Sequence, residues 1–119
     1  MIAEDHDGMR EAAKEMLDAL GYKVLLAANG EQALEVFRDK HGSIDLVVLD
    51  VVMPEMGGAV AFEAMTAMKP DVRVIFATGY SNEIESLHAV VRKGVSIIQK
   101  PYNSQILGRR IRAVLDGAI

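Results

Sequence analysis

The stretch Leu46-Val47-Val48-Leu49-Asp50-Val51-Val52-Met53-Pro54 decides the fold. Four apolar residues in a row, without polar alternation, read as a strand buried on both faces. That is the pattern of a central strand in a parallel sheet. A carboxylate at the C-terminal end of such a strand falls where open α/β sheets bind their ligands. Taken alone, Asp50 also fits a plain turn cap before Pro54. Three other features of the chain favour the ligand site.

Outward from that stretch, short apolar runs alternate with segments of helical period, the signature of repeated βα units. Ile2-Ala3 is the stub of a first strand. Met9, Ala13, Met16, Leu17 and Leu20 share one helical face over 8–20, and Gly21 ends that helix. Residues 22–27 read as a second strand. Asn29 as cap and Gln32 three positions on start a helix whose apolar face is Ala33, Leu34 and Phe37. The third strand is 45–49. Pro54 and Gly57-Gly58 mark a loop leading to a helix that bears Phe62 and Met65. Residues 72–77 make a fourth strand. Ser81 or Asn82 then caps a helix carrying Ile84, Leu87 and Val91, which Gly94 stops. Strand five is 95–98, and Asn103 caps a last helix with Ile106, Ile111, Val114 and Leu115 inward. Five strands and five helices in strict alternation, joined by right-handed crossovers, give a parallel sheet covered on both faces. The first strand is short for such a sheet.

The totals agree. A chain of 119 residues, half of them hydrophobic, suits one domain over 1–119 with one compact fold. There is no Cys, which excludes disulfides and thiolate metal sites and is compatible with a reducing, cytoplasmic setting. Met1-Ile2-Ala3-Glu4-Asp5 has neither the basic nor the apolar part of a signal peptide, and no apolar run reaches membrane-spanning length. A net charge of −4 argues against direct contact with nucleic acid; Arg109, Arg110 and Arg112 read as a solvated helix face.

In a parallel sheet the strand C-termini share one edge. This sequence delivers to it Glu4 and Asp5 from strand one, Asp50 from strand three, Thr78 from strand four and Lys100 from strand five. Like charges about 4 Å apart repel by roughly 4 kcal/mol at an effective dielectric near 20. Such a cluster needs a cation to stay ionised. All-oxygen ligands favour a hard divalent ion, Mg²⁺ with waters completing an octahedron.

Glu4-Asp5, Leu46 through Asp50, Met53-Pro54, Gly58, Ala77-Thr78-Gly79 and Lys100-Pro101-Tyr102, in this order and spacing, resemble the receiver domain of two-component response regulators. The resemblance covers essentially the whole chain. It implies a flavodoxin-like (βα)5 domain with strand order 2-1-3-4-5, and Asp50 as phosphoacceptor. It further implies Mg²⁺ bound by Asp5, Asp50 and the carbonyl of Val52, with Glu4 reaching the ion through water. Thr78 and Lys100 would each hold a phosphoryl oxygen, and the Lys100–Pro101 bond would be cis. The donor would be a phosphohistidine on a histidine kinase or phosphotransfer protein, with the first helix as the docking surface. No turnover is expected beyond self-phosphorylation and slow self-dephosphorylation. Phe76 through Tyr80 and Gln99 through Tyr102 resemble receivers of hybrid sensor kinases, a stand-alone regulator being the alternative. A homodimer remains open, and no membrane contact is expected.

The sequence also departs from that pattern. Ile97 stands where the family has a switching aromatic on strand five, which puts the usual coupling to Thr78 in doubt. Val52 and Tyr80 flank the path of attacking water in the family; here an apolar and a shielding side chain imply slow hydrolysis. Gly57-Gly58 replaces an acidic-Gly pair; simple drift in a solvent loop is the favoured reading, a looser turn the alternative. His6 is expected at the rim and His41 and His88 at the surface; the seven Met read as core filling, with an exposed docking patch at Met53 and Met56 as the alternative. Three rival readings remain distinguishable. A flavin or nucleotide binder needs a phosphate loop where Glu4-Asp5-His6-Asp7 stands. A haloacid-dehalogenase-type phosphatase needs an acid at Val52. A pseudo-receiver would act as an interaction module without taking phosphate.

Overall fold

Each strand runs only as far as a neighbouring strand accompanies it, and this fixes the element bounds. The computed structural model describes residues 1–53, 56–79 and 96–117. Its elements are β1 (Ile2–Ala3), α1 (Asp7–Ala19), β2 (Leu26–Ala27), α2 (Gly30–Lys40), a 3₁₀ turn (His41–Ser43), β3 (Val47–Asp50), α3 (Gly58–Met68), β4 (Val74–Thr78), β5 (Ser96–Gln99) and α4 (Ser104–Leu115). The sheet is parallel throughout, in the expected order β2-β1-β3-β4-β5. The strand expected over 22–27 is regular only at Leu26–Ala27, the two residues that pair with Ile2 and Ala3. The helix expected from Ser81 or Asn82 to Gly94 lies outside the described residues, as do Pro54 and Tyr80.

Alternation along the strands explains why the central ones read as unbroken apolar runs. Val47 and Leu49 of β3, with Val74 and Phe76 of β4, enter one core layer with Ala33 and Phe37 of α2 and Phe62 and Met65 of α3. Val48, Ile75 and Ala77 enter the other, with Leu17 of α1 and Leu107 and Ile111 of α4. Phe62 meets Phe76 edge-on, with ring centroids 5.5 Å apart. Two residues expected inward are not. Ile106 is exposed and Leu107 is fully buried in its place, because the stripe on α4 runs 107, 111, 114, 115. Leu20 caps α1 beyond its last helical residue and is also exposed, while Gly21 follows at φ +90° as expected of a helix stop. Asn29 and Asn103 cap α2 and α4, accepting from the amides of Gln32 and Ile106 at 2.8 Å. His41 is half-buried, not fully at the surface, its ring 5.9 Å from that of Phe37.

Among the described residues, no helix is long and apolar enough to cross a membrane. Phe76→Ala should lower stability by about 3–5 kcal/mol, the cost of removing a fully buried aromatic. Urea unfolding followed by circular dichroism would show it as a lower midpoint; an unchanged midpoint would place Phe76 outside the core.

Candidate functional site

Parallel pairing gathers the strand ends. Ala3 pairs with Leu49, Asp50 with Ala77 and Thr78 with Gln99, so the residues at or just after these positions share one edge. Glu4 follows β1 directly and its amide donates to Ala27 O at 3.0 Å, extending the ladder by one step. Asp50 is the last residue of β3 and Thr78 the last of β4. The amide of Lys100 donates to Thr78 O at 2.7 Å, which sets the start of its side chain. One carboxylate oxygen from each of Glu4, Asp5 and Asp50 then lies within 4.8 Å of the other two. Lys100 Nζ reaches Asp50 Oδ2 at 3.1 Å and Glu4 Oε1 at 3.4 Å. The Lys100–Pro101 bond is cis. Thr78 is buried at this edge, and Val52, two residues beyond Asp50, is 60% exposed.

The electrostatics are unbalanced. Glu4 and Asp50 are buried and Asp5 is exposed, so three carboxylates face one ammonium. Burial and then the charge of Glu4 push the Asp50 carboxyl up to about 7, although Lys100 pulls it down. Burial works against the Lys100 ammonium too, yet Asp50 and Glu4 outweigh it and raise its pKa above the ordinary lysine value. Tyr102, half-buried beside the cluster, is pushed up to about 12 by burial and by Glu4. Asp50 Oδ1 is buried and has no hydrogen-bond partner among the described residues. An orphaned carboxylate oxygen beside two further carboxylates suits a hard, oxygen-seeking cation.

Several groups that shape this edge carry no sequence signal of their own. Arg10 folds back from α1 to donate to Glu4 O at 3.0 Å and to pair with Asp7 Oδ1. His6, expected at the rim, is the exposed N-cap of α1 and accepts from the amide of Met9 through Nδ1 at 3.2 Å. Its own amide donates to Glu4 Oε2 at 3.1 Å. Arg10 was findable only as a basic residue about one turn into a helix that follows an acidic strand end. A Cβ at Gly58 would stand 2.3 Å from Asp50 O, and its amide donates to Val51 O at 2.8 Å. Met53 is buried and Met56 half-buried, so neither forms an exposed docking patch, because both face the core under the loop.

The model of the response regulator receiver domain family matches residues 1–112. The sensor kinase CckA of Brucella abortus (strain 2308) is 31% identical over 116 residues, covering 98% of this chain and 12% of that protein. The transcriptional regulatory protein CpxR of Escherichia coli (strain K12) is 33% identical over 117 residues, covering 97% of this chain and 48% of CpxR. The chain thus spans less than half the length of these two relatives. A crystal structure of the receiver domain from the hybrid histidine kinase CckA superposes with a TM-score of 0.81 at 32% identity, covering 96% of this chain and 95% of that one. The sheet order, the acidic strand ends and the full-length match agree. The chain belongs to the response regulator receiver domains, the phosphoacceptor modules of two-component signalling.

Proposed function

We propose that Asp50 is the phosphoacceptor of this receiver, that Glu4, Asp5, Asp50 and the Val52 carbonyl hold Mg²⁺, and that Thr78 and Lys100 hold the transferred group. The single observation that carries the reading is Asp50 itself. It is a buried carboxylate with one oxygen on Lys100 and the other without a partner among the described residues, beside Glu4 and Asp5. Bound there, Mg²⁺ would neutralise charge on the transferring phosphoryl oxygens.

The chain's own groups supply the rest. An Asp50 oxygen attacks the phosphorus of a phosphohistidine, the P–N bond breaks, and the imidazole leaves with the electron pair. The product is a mixed anhydride on Asp50, labile enough for a transient signal. Lys100, already within reach of Asp50 Oδ2, turns to a phosphoryl oxygen as charge moves outward, and the Thr78 hydroxyl donates to another. The donor is a histidine kinase or histidine phosphotransfer protein, and the phosphorylated edge then alters a partner or attached domain. Val52, exposed beside Asp50, offers no polar group to orient attacking water, which favours a long-lived phosphoryl group.

With Mg²⁺ and acetyl phosphate, mass spectrometry should show one added phosphoryl group on the parent chain and none on Asp50→Asn. Lys100→Ala should label about 10²-fold more slowly, the usual cost of removing one electrostatic stabiliser. Labelling that survives Asp50→Asn would end the assignment.

Val52→Asn, which supplies a polar group beside Asp50, should speed loss of the phosphoryl group several-fold, read by decay of the phosphorylated species. Unchanged or slower decay would reject the role given to Val52.

The raised Asp50 pKa also sets a stability profile for the metal-free protein. Below about 4 the carboxyl is protonated folded or unfolded, and no penalty arises. As pH rises towards about 7 the unfolded chain ionises first, so folding loses ground; above that the full penalty stands. Asp50→Asn should therefore be more stable than the parent near pH 8, by about 1–3 kcal/mol for an uncompensated buried polar group. The gap should close towards pH 4 and shrink when Mg²⁺ is added to the parent. Denaturant midpoints across pH, with and without Mg²⁺, would check all three.

A further inference from the structure

The loop between β3 and α3 is closed at its ends and seated from outside. Val51 N donates to Ala77 O at 3.1 Å and Gly58 N to Val51 O at 2.8 Å, so entry and exit meet. Val51 and Met53 are buried beneath, and Val52 between them faces out. The outside contact comes from another element. A Cβ at Gly30, in the first turn of α2, would stand 2.4 Å from Met56 O, 2.7 Å from Met56 Cβ and 3.0 Å from Met56 Cγ. The nearest of these atoms is backbone, which cannot swing aside. Among the described residues the glycines with positive φ are Gly21 and Gly117, so Gly30 answers to space and not to an unusual backbone conformation.

The seat is itself rigid. Asn29 Oδ1 accepts from Gln32 N, and Gln32 Oε1 reaches back to the amide of Ala28, one residue before the cap. Ala28 continues β2, whose Ala27 pairs with Ala3 and accepts from the amide of Glu4. The surface on which Met56 rests is thus tied to the strand edge that carries the acidic pair.

We propose that Gly30 is a positioning residue: its missing side chain lets the Met56 backbone rest on α2, and that contact sets residues 56–58 and, through the Gly58 N to Val51 O bond, the neighbouring Val52 relative to Glu4 and Asp5. The consequence for magnesium rests on the acceptor reading above; the consequence for the loop itself does not.

The test compares Gly30→Ala with Leu34→Ala, which weakens packing of the same helix but leaves the seat intact, both held well below their unfolding midpoints. In metal-free protein, hydrogen exchange at the Gly58 amide reads closure of the loop. Calorimetric titration with Mg²⁺ reads the site. Gly30→Ala should speed Gly58 exchange and weaken Mg²⁺ binding several-fold, and Leu34→Ala should do neither. Equal effects of the two variants, or normal Gly58 exchange in Gly30→Ala, would overturn the proposal. Should Gly30→Ala fail to fold in buffer alone, the same comparison is made with both variants and the parent in trimethylamine N-oxide, which favours the compact state. Unchanged Gly58 exchange in Gly30→Ala there would equally overturn the proposal. If the parent binds no Mg²⁺ yet Gly58 exchange responds to Gly30→Ala, the acceptor reading falls and the seat stands.

Discussion

A carboxylate buried against another carboxylate, with one ammonium between them, is the constraint on which this structure turns. Asp50 is 2% exposed at the end of the central strand, and Glu4 is equally deep at the end of its neighbour. Left to itself the buried Asp50 carboxyl favours protonation, and Lys100 offsets only part of the cost. The sheet supplies the remainder. Val47, Val48, Leu49, Val74, Ile75 and Phe76 are almost wholly buried, so the two strands that deliver Asp50 and Thr78 lie deep in the core. Burial of the strands holds these charged groups at the strand ends, an arrangement of oxygen ligands that suits a hard cation.

The loops follow from the same logic. Asp50 must sit where a helix begins close behind it, and no side chain fits between Asp50 O and the first residue of α3; hence Gly58. The loop after β1 is stitched by short polar contacts instead. Glu4 Oε2 takes the amide of His6, His6 takes that of Met9, and Arg10 returns to Glu4 O. These contacts fix where Asp5 starts without enclosing it, so its carboxylate stays exposed while its neighbour is buried.

Most of the architecture was legible because burial on both faces writes itself into unbroken apolar runs and α1, α2 and α4 into clear periods. The order of strands came from resemblance, since periodicity alone does not rank them. Strand ends were read better than strand starts: Asp50 and Thr78 close β3 and β4, whereas regular pairing begins at Val47 and Val74, later than the apolar or β-branched residues suggest. Ile106 against Leu107 was ambiguous by a single position, because the stripe depends on where Asn103 starts the helix. The site residues were legible as types at strand ends. Their supports were not. Gly30, Gly58 and Arg10 act through close approach and carbonyl contacts, which depend on tertiary placement and leave no periodic trace.

Lys100 shows how such supports deliver a flexible side chain to a fixed point. Its amide is held by Thr78 O, so its first atom moves with β4. The strand behind it is held from the opposite side, where Arg110 of α4 donates to Ile97 O at 2.7 Å and to Ser96 Oγ at 3.0 Å. Ile97 and Gln99 alternate outward from the β4 pairing, so Arg110 satisfies a carbonyl that the sheet edge would otherwise leave to water. Ile97 itself carries no polar tip to exchange between buried and exposed positions. The acidic edge is thus joined to β5 by backbone hydrogen bonds, from Thr78 O to Lys100 and along β5 to the Arg110 contacts, while the Lys100 side chain ends on Asp50.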